Sequence, residues 1–220
     1  MRIDIWADVV CPWCFIGKRR FEQALIEVYG PPKSNGASGG VRPEIVYRAF
    51  ELDSSIPKGV VERQPDMLMR KYGWSAETTR ARQTHIEQLA ANDGLTMRIT
   101  DGLSGNSFDA HRLIQFAKAR GQQTKMVDRL FRAHFTELRS VFDHESLVEL
   151  AGEIGLDREE ARAVLGSDEY AEAVKDDQAE ARRLGIGGVP FYVLGGRFAV
   201  EGAQPTAVFV QGLKQAREKS

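Results

Sequence analysis

Residues 2–7, RIDIWA, alternate apolar and polar side chains and set Ile3, Ile5 and Ala7 on one face, the period of a half-buried strand. The period then lengthens. Phe21, Ala24, Leu25 and Val28 recur at helical spacing and predict a helix over 12–29. Pro12 suits its first turn, where the N–H it lacks would have no partner anyway. GPPKSNGASGG at 30–40 reads as a surface loop, and EIVYRAFEL at 44–52 as a second strand rich in β-branched and aromatic residues. From about 53 to 184 no convincing strand follows. Helical spacing marks 75–92, 107–119 and 123–138, shorter stretches from Asp143 and Asp157, and a last one over 167–184. Ser75, Ser107, Asp143, Asp157 and Ser167 stand where N-caps belong, and DREE after Leu156 reads as a capping box. VPFYVL and RFAV flank Gly195-Gly196 as a hairpin, and a helix over 205–218 turns Val208, Phe209 and Leu213 inward. This order predicts an α/β sheet domain over 1–52 and 185–220. An all-helical insertion, 53–184, interrupts it and includes the helix that leads back into the sheet.

Composition narrows the function classes. The chain has 220 residues, 42% hydrophobic, enough for one large domain or a domain with a big insertion. Thirty Lys+Arg against 31 Asp+Glu leave a net charge of −1, so no basic field attracts nucleic acid or an anionic membrane. No run approaches the roughly 20 apolar residues that span a bilayer. The opening MRIDIWADVV, with Asp4 and Asp8, does not read as a signal peptide. A cytoplasmic protein is expected, a compartment that disfavours a static disulfide.

That expectation sharpens the question posed by VVCPWCFIGKRR, which holds the only two cysteines, Cys11 and Cys14. Structural zinc takes about four ligands. The four histidines, His85, His111, His134 and His144, form no HxxxH or HxH pair, and there is no second cysteine pair, so no metal site is expected. Haem attachment needs His directly after Cys14, where Phe15 stands. Inert buried thiols are the default for isolated cysteines, but inertness does not account for Pro12-Trp13 between two cysteines at a strand-to-helix junction. Redox chemistry does. The unpaired N–H groups and positive dipole end of a helix favour a thiolate there. One helical turn brings the second sulfur within bonding reach. Cys11 then attacks or accepts a disulfide, and Cys14, expected to be the more buried partner, resolves the mixed disulfide. The thiols are themselves the redox group, so no metal or nucleotide cofactor is required.

With these residues in view, the chain resembles the thioredoxin superfamily, within it the DsbA-type oxidoreductases and their cytoplasmic FrnE-like group. The resemblance runs over nearly the whole length, through VVCPWCFIGKRRFE, RAFELD, KYGWS, NSFDAHRL and GIGGVPFYVLGGRFAVEGAQP. It implies a thioredoxin-like fold with a large all-helical insertion. It also implies a cis Val189-Pro190 bond facing the cysteine pair, with backbone at Val189 aligning a substrate strand; X-Pro is where a cis bond costs least. The plainer reading of Pro190 is an ordinary strand-starting proline. Two departures stand out. Thioredoxins and periplasmic relatives often carry a buried acid six residues before the first cysteine, where this chain has Ile5. Deprotonation of Cys14 then needs another group or water, with Asp8 a weak candidate. Pro12-Trp13 stands where the strongly oxidising periplasmic enzymes have Pro-His, so a basic ring is missing.

Other residues draw two readings each. Lys18, seven residues after Cys11, can favour the thiolate, but a solvated basic face is the plainer account of Lys18, Arg19 and Arg20. His111 lines a cleft above the thiols or packs at a capped helix start. Trp13 is expected to be exposed to apolar substrate, Trp6 and Trp74 to lie in the core or at a domain junction, and Glu201 near the ligand groove. The expected function is thiol–disulfide exchange on protein or small-molecule disulfides, with glutathione as a candidate reductant or co-substrate. Neither nucleic acid nor membrane is an expected partner, and a homodimer is left open. The runner-up is a glutathione-dependent enzyme of the kappa-class transferase or hydroxychromene-carboxylate-isomerase type. That group typically has Ser at the Cys11 position and lacks the second thiol. A peptide-binding holdase using an apolar cleft is the third reading.

Overall fold

In a computed structural model that describes residues 1–31 and 42–218, β1 (Arg2–Ala7) lies inside a four-stranded sheet of order β2-β1-β5-β6. Most of the loop expected at 30–40 falls outside the described residues. The parallel partner β2 (Glu44–Ala49) sets Ile45 beside Ile3 and Tyr47 beside Ile5. The antiparallel partner β5 (Phe191–Leu194) sets Tyr192 on the other side of Ile5. Both isoleucines are buried, as the alternation requires. Two parallel neighbours need a crossover, and α1 (Pro12–Tyr29) supplies it. β6 (Phe198–Glu201) joins β5 through Gly195 and Gly196, whose φ values of 60° and 69° suit a mirror-image turn. Arg197 N–H closes that turn on Leu194 O at 3.2 Å. The final helix, running Thr206–Glu218, packs on α1, with Phe209 against Phe21 and Tyr192.

Between β2 and β5 the chain is mostly helical: α2 (Gln64–Tyr72), α3 (Ala76–Asn92), α4 (Phe108–Ala119), α5 (Gln123–Phe135), α6 (His144–Glu153), α7 (Arg158–Leu165) and α8 (Ala171–Arg183), so that the final helix is α9. Three predicted caps are formed. Ser75 accepts from Thr78 N–H, Asp143 from Ser146 N–H and Asp157 from Glu160 N–H. The capping box is half made, because the Glu160 carboxylate turns away to Arg120.

The structure corrects several expectations. The stretch 53–184 does hold strands, since β3 (Val61–Arg63) and β4 (Leu103–Gly105) pair antiparallel in a sheet of their own. Three-residue strands are too short to show a period. α2 was not anticipated; its polar QPDMLMRKY hides the helix that Pro65 opens. β2 stops at Ala49 rather than 52. α5 stops at Phe135, and Leu138 has a φ of 56°. Asn106 Oδ1, not Ser107, accepts the Phe108 N–H at the start of α4. Ser167 caps nothing: its hydroxyl donates to Val164 O at the end of α7, and α8 begins four residues later, after Tyr170 in the left-handed region.

One buried carboxylate ties the helices to the sheet. Asp177 of α8 accepts from Arg48 Nη1 and Ala49 N–H of β2 and from Gln115 Nε2 of α4. Trp6 Nε1–H of β1 donates to the Asp177 carbonyl at 3.0 Å, which places Trp6 in the core. Arg112 of α4, also buried, uses its guanidinium to hold Val164, Leu165, Ser167 and Glu169 carbonyls where α7 gives way to α8.

α1 approaches β5 closely because residue 17 has no side chain. A Cβ on Gly17 would lie 2.6 Å from the Tyr192 hydroxyl oxygen and 3.0 Å from Pro190 Cγ. Gly17→Val is therefore expected to push α1 off the sheet and destabilise the fold by about 2 kcal/mol, read as a lower midpoint of urea unfolding at unchanged slope. An unchanged midpoint would contradict the close approach.

Candidate active site

Cys11 is the N-cap of α1, with extended backbone. Its N–H donates to Asp8 O at 3.1 Å, and its carbonyl receives the Cys14 N–H at 3.0 Å, closing the first turn around Pro12 and Trp13. No acidic residue lies in that turn. The helix N-terminus therefore presents its positive end to Cys11. From the other side comes the start of β5. The Val189-Pro190 bond is cis, and the Val189 carbonyl lies 3.6 Å from Cys11 Sγ.

Both cysteines are free thiols, 3% and 2% exposed, so the expected difference in burial is almost absent. They differ in what they face. Cys11 lines a cavity of about 490 Å³ and Cys14 does not. Trp13, Ile56, Leu68, Trp74, Ile86 and Val189 supply apolar wall, so the insertion and the sheet domain both contribute. Trp13 is 38% exposed, as expected. Trp74 stacks on Tyr72 at 4.6 Å between ring centres, with the Arg82 guanidinium 4.4 Å from the centre of the Trp74 ring, and it lines the cavity, so it sits at the junction rather than in the core.

Cys14 is set apart chemically. Burial pushes its thiol well above the ordinary range, and the hydrogen bond and charge of Cys11 push the same way. The Asp8 amide N–H acts oppositely, while the Asp8 carboxylate, as a like charge, raises it. Cys14 thus stays protonated at neutral pH.

Several predicted residues lie elsewhere. His111 does not line the cavity. It is buried in α4 with Nε2 3.3 Å from Asp8 Oδ1, which favours the packed reading over the cleft reading. Glu201 is exposed at the end of β6 and also lies outside the cavity lining. Lys18 corrects the solvated-face reading: it is 4% exposed, with Nζ bonded to Glu22 at 2.6 Å and Asp128 at 2.8 Å. Its charge is spent on those carboxylates. Asp8 is the residue that sequence reasoning underweighted. Its Oδ2 accepts the Leu52 N–H at 2.7 Å and it is 1% exposed. The available signal was one acid among apolar residues in ADVVC. Among the described residues no group of three or more His, Cys, Asp or Glu side chains is placed to hold a metal. No described helix is long and apolar enough to cross a membrane.

Comparison with known proteins agrees with this geometry. The family described as the DSBA-like thioredoxin domain matches residues 2–214. A probable DsbA oxidoreductase from Streptomyces coelicolor is 44% identical, with a TM-score of 0.90 over all of this chain and 91% of its own. The cytosolic disulfide reductase DsbM from Pseudomonas aeruginosa shares the fold at 19% identity, with a TM-score of 0.67 over the whole of both chains. A 2-hydroxychromene-2-carboxylate isomerase does so at 19% identity, with a TM-score of 0.68 over all of this chain and 96% of its own.

A second histidine near Asp8 makes a prediction. His134 of α5 is buried against Phe135 and Phe142, and burial lowers its pKa from 6.5 to about 4, against the opposing charge of Asp8. The unfolded chain then binds the proton more readily. The stability this neutral ring contributes is complete above about 6.5 and is lost as pH falls toward about 4, in all about 3 kcal/mol. His134→Phe is expected to flatten the stability profile across that window in urea titrations; an equally steep profile would contradict the buried neutral ring.

Proposed function

Because the chain belongs to the DSBA-like thioredoxin domain family, we propose that it is a thiol–disulfide oxidoreductase working through Cys11 and Cys14. The carrying observation is the division between the thiols: Cys11 opens into the cavity beside the Val189 carbonyl, and Cys14 lies behind it.

In the reducing direction the Cys11 thiolate attacks one sulfur of a substrate disulfide. A Cys11–substrate disulfide forms, the substrate S–S bond breaks, and the leaving thiolate takes a proton. Cys14 gives up its proton and attacks Cys11 Sγ. The Cys11–Cys14 bond forms, the mixed disulfide breaks, and the second substrate thiol departs. Substrate is reduced by two electrons and the dithiol is oxidised; the reverse sequence oxidises a substrate dithiol. Backbone at Val189, held by Pro190, offers the edge along which substrate aligns. The cavity admits a small disulfide or one apolar side chain of a protein substrate beside Trp13. Glutathione is a candidate reductant or co-substrate, and the cytoplasm is the compartment that suits a reduced pair.

The glutathione-dependent isomerase reading is weaker, because it leaves Cys14 without a task. A holdase would use the apolar cavity alone and would not need either thiol. Cys11→Ser is expected to abolish turnover of a dithiol-coupled aromatic disulfide. Cys14→Ser is expected to stop after one equivalent, with substrate held on Cys11 and visible as added mass. Full turnover by Cys11→Ser, or glutathione-dependent isomerisation of an aromatic substrate without dithiol cycling, would contradict the assignment.

A further inference from the structure

On the reading that Cys11 meets its substrate in the cavity, the polar groups left free along the wall decide which substrate is favoured. Five acidic or basic residues line it: Asp8, Asp53, Lys71, Arg82 and His85. Both carboxylates are spent. Asp8 accepts from the Val10 and Leu52 N–H groups and lies 3.3 Å from His111. Asp53 accepts from Ser55 and from Lys71 Nζ at 2.9 Å, a contact that also occupies Lys71.

Arg82 differs. Among the described residues its guanidinium has no carboxylate partner and lies over the Trp74 ring, 4.4 Å from its centre. Trp74 is half-buried and stacked in turn on Tyr72, so the ring beneath the guanidinium is braced. Stacking holds the plane of a guanidinium in one orientation and leaves its N–H edge open, a fork that matches a carboxylate. Helical spacing brings Arg82, His85 and Ile86 of α3 onto the one face that lines the cavity. Trp13, Ile56, Leu68 and Ile86 leave apolar wall for the rest of the ligand. We propose that the cavity selects disulfides with a carboxylate on the arm beside the reacting sulfur, and that Arg82 is the specificity-determining residue that binds it.

The carboxylate takes no part in the exchange. Two electrons pass from the Cys11–Cys14 dithiol to the substrate disulfide, and Arg82 neither gives nor takes a proton. A small acidic disulfide offers this chemistry, and so does a peptide with Glu or Asp beside its cystine.

The test compares charged and neutral disulfides of near-equal size. One pair is dithiodipropionate and its neutral hydroxyethyl analogue. The other is a blocked cystine peptide with Glu beside the cystine and its Gln counterpart. Single turnovers of the reduced protein are followed with each, and every rate is divided by that of the same disulfide with free dithiothreitol, which removes differences in intrinsic reactivity. The normalised rate is expected to favour the carboxylate about fivefold at low salt, and the preference to shrink in about 1 M salt as the charge is screened. Arg82→Gln is expected to bring the ratio close to one. Arg82→Lys, which keeps the charge but not the fork, is expected to restore part of it. Arg80→Gln removes an equal charge from the opposite side of α3, away from the cavity, and is expected to keep the preference. A preference among the small disulfides points to a small-molecule substrate, and one confined to the peptides points to a protein; either supports the assignment. No preference in either pair for the unmodified protein would overturn it, even if Arg82→Gln does not fold. So would an equal loss in Arg80→Gln and Arg82→Gln, which would mean a diffuse field rather than a contact. Failure of the unmodified protein to reduce any of these disulfides would instead overturn the exchange on which the assignment rests.

Discussion

The close approach of the first turns of α1 to the start of β5 is the constraint on which the site depends. Gly17 permits it, since any side chain there would strike Tyr192 and Pro190. Because the helix sits so close, Cys11 Sγ comes within 3.6 Å of the Val189 carbonyl at the start of β5. The pairing of β1 with both β2 and β5 fixes the two elements in one frame, so the distance is set by the sheet rather than by a loop.

A second constraint follows from burial. The two thiols are almost equally inaccessible by area, yet the cavity touches only Cys11. The two thiols therefore differ in direction and in electrostatics, not in exposure. Cys11 has a helix N-terminus and open space. Cys14 has desolvation, the neighbouring sulfur and the Asp8 charge, all of which favour its protonated form. The insertion matters here as well as for shape: it carries His111 and His134 to Asp8 and builds most of the apolar wall.

Much of this was legible in the sequence. The alternation of RIDIWA, the Gly195-Gly196 turn and the caps at Ser75, Asp143 and Asp157 each depend on near neighbours along the chain, and each formed. CPWC at a strand-to-helix junction marked the thiols for the same reason. What failed depended on distant partners. Lys18 looked solvated because Asp128, 110 residues away, could not be seen beside it. β3 and β4 are too short to announce themselves and exist only as a pair. Glu201 shares GAQP's place near β6 but faces solvent. Asp8 and His111 are 103 residues apart, and nothing in spacing reveals that one buried hydrogen bond joins them.

The most direct measurement is differential alkylation of the fully reduced protein. Limiting iodoacetamide near neutral pH, followed by peptide mass analysis over time, reports which sulfur reacts first. The account predicts that Cys11 is modified well before Cys14, despite their near-equal burial, because it alone of the two faces the cavity while burial holds the Cys14 thiol well above its ordinary range. Parallel modification of the two, or earlier modification of Cys14, would contradict it.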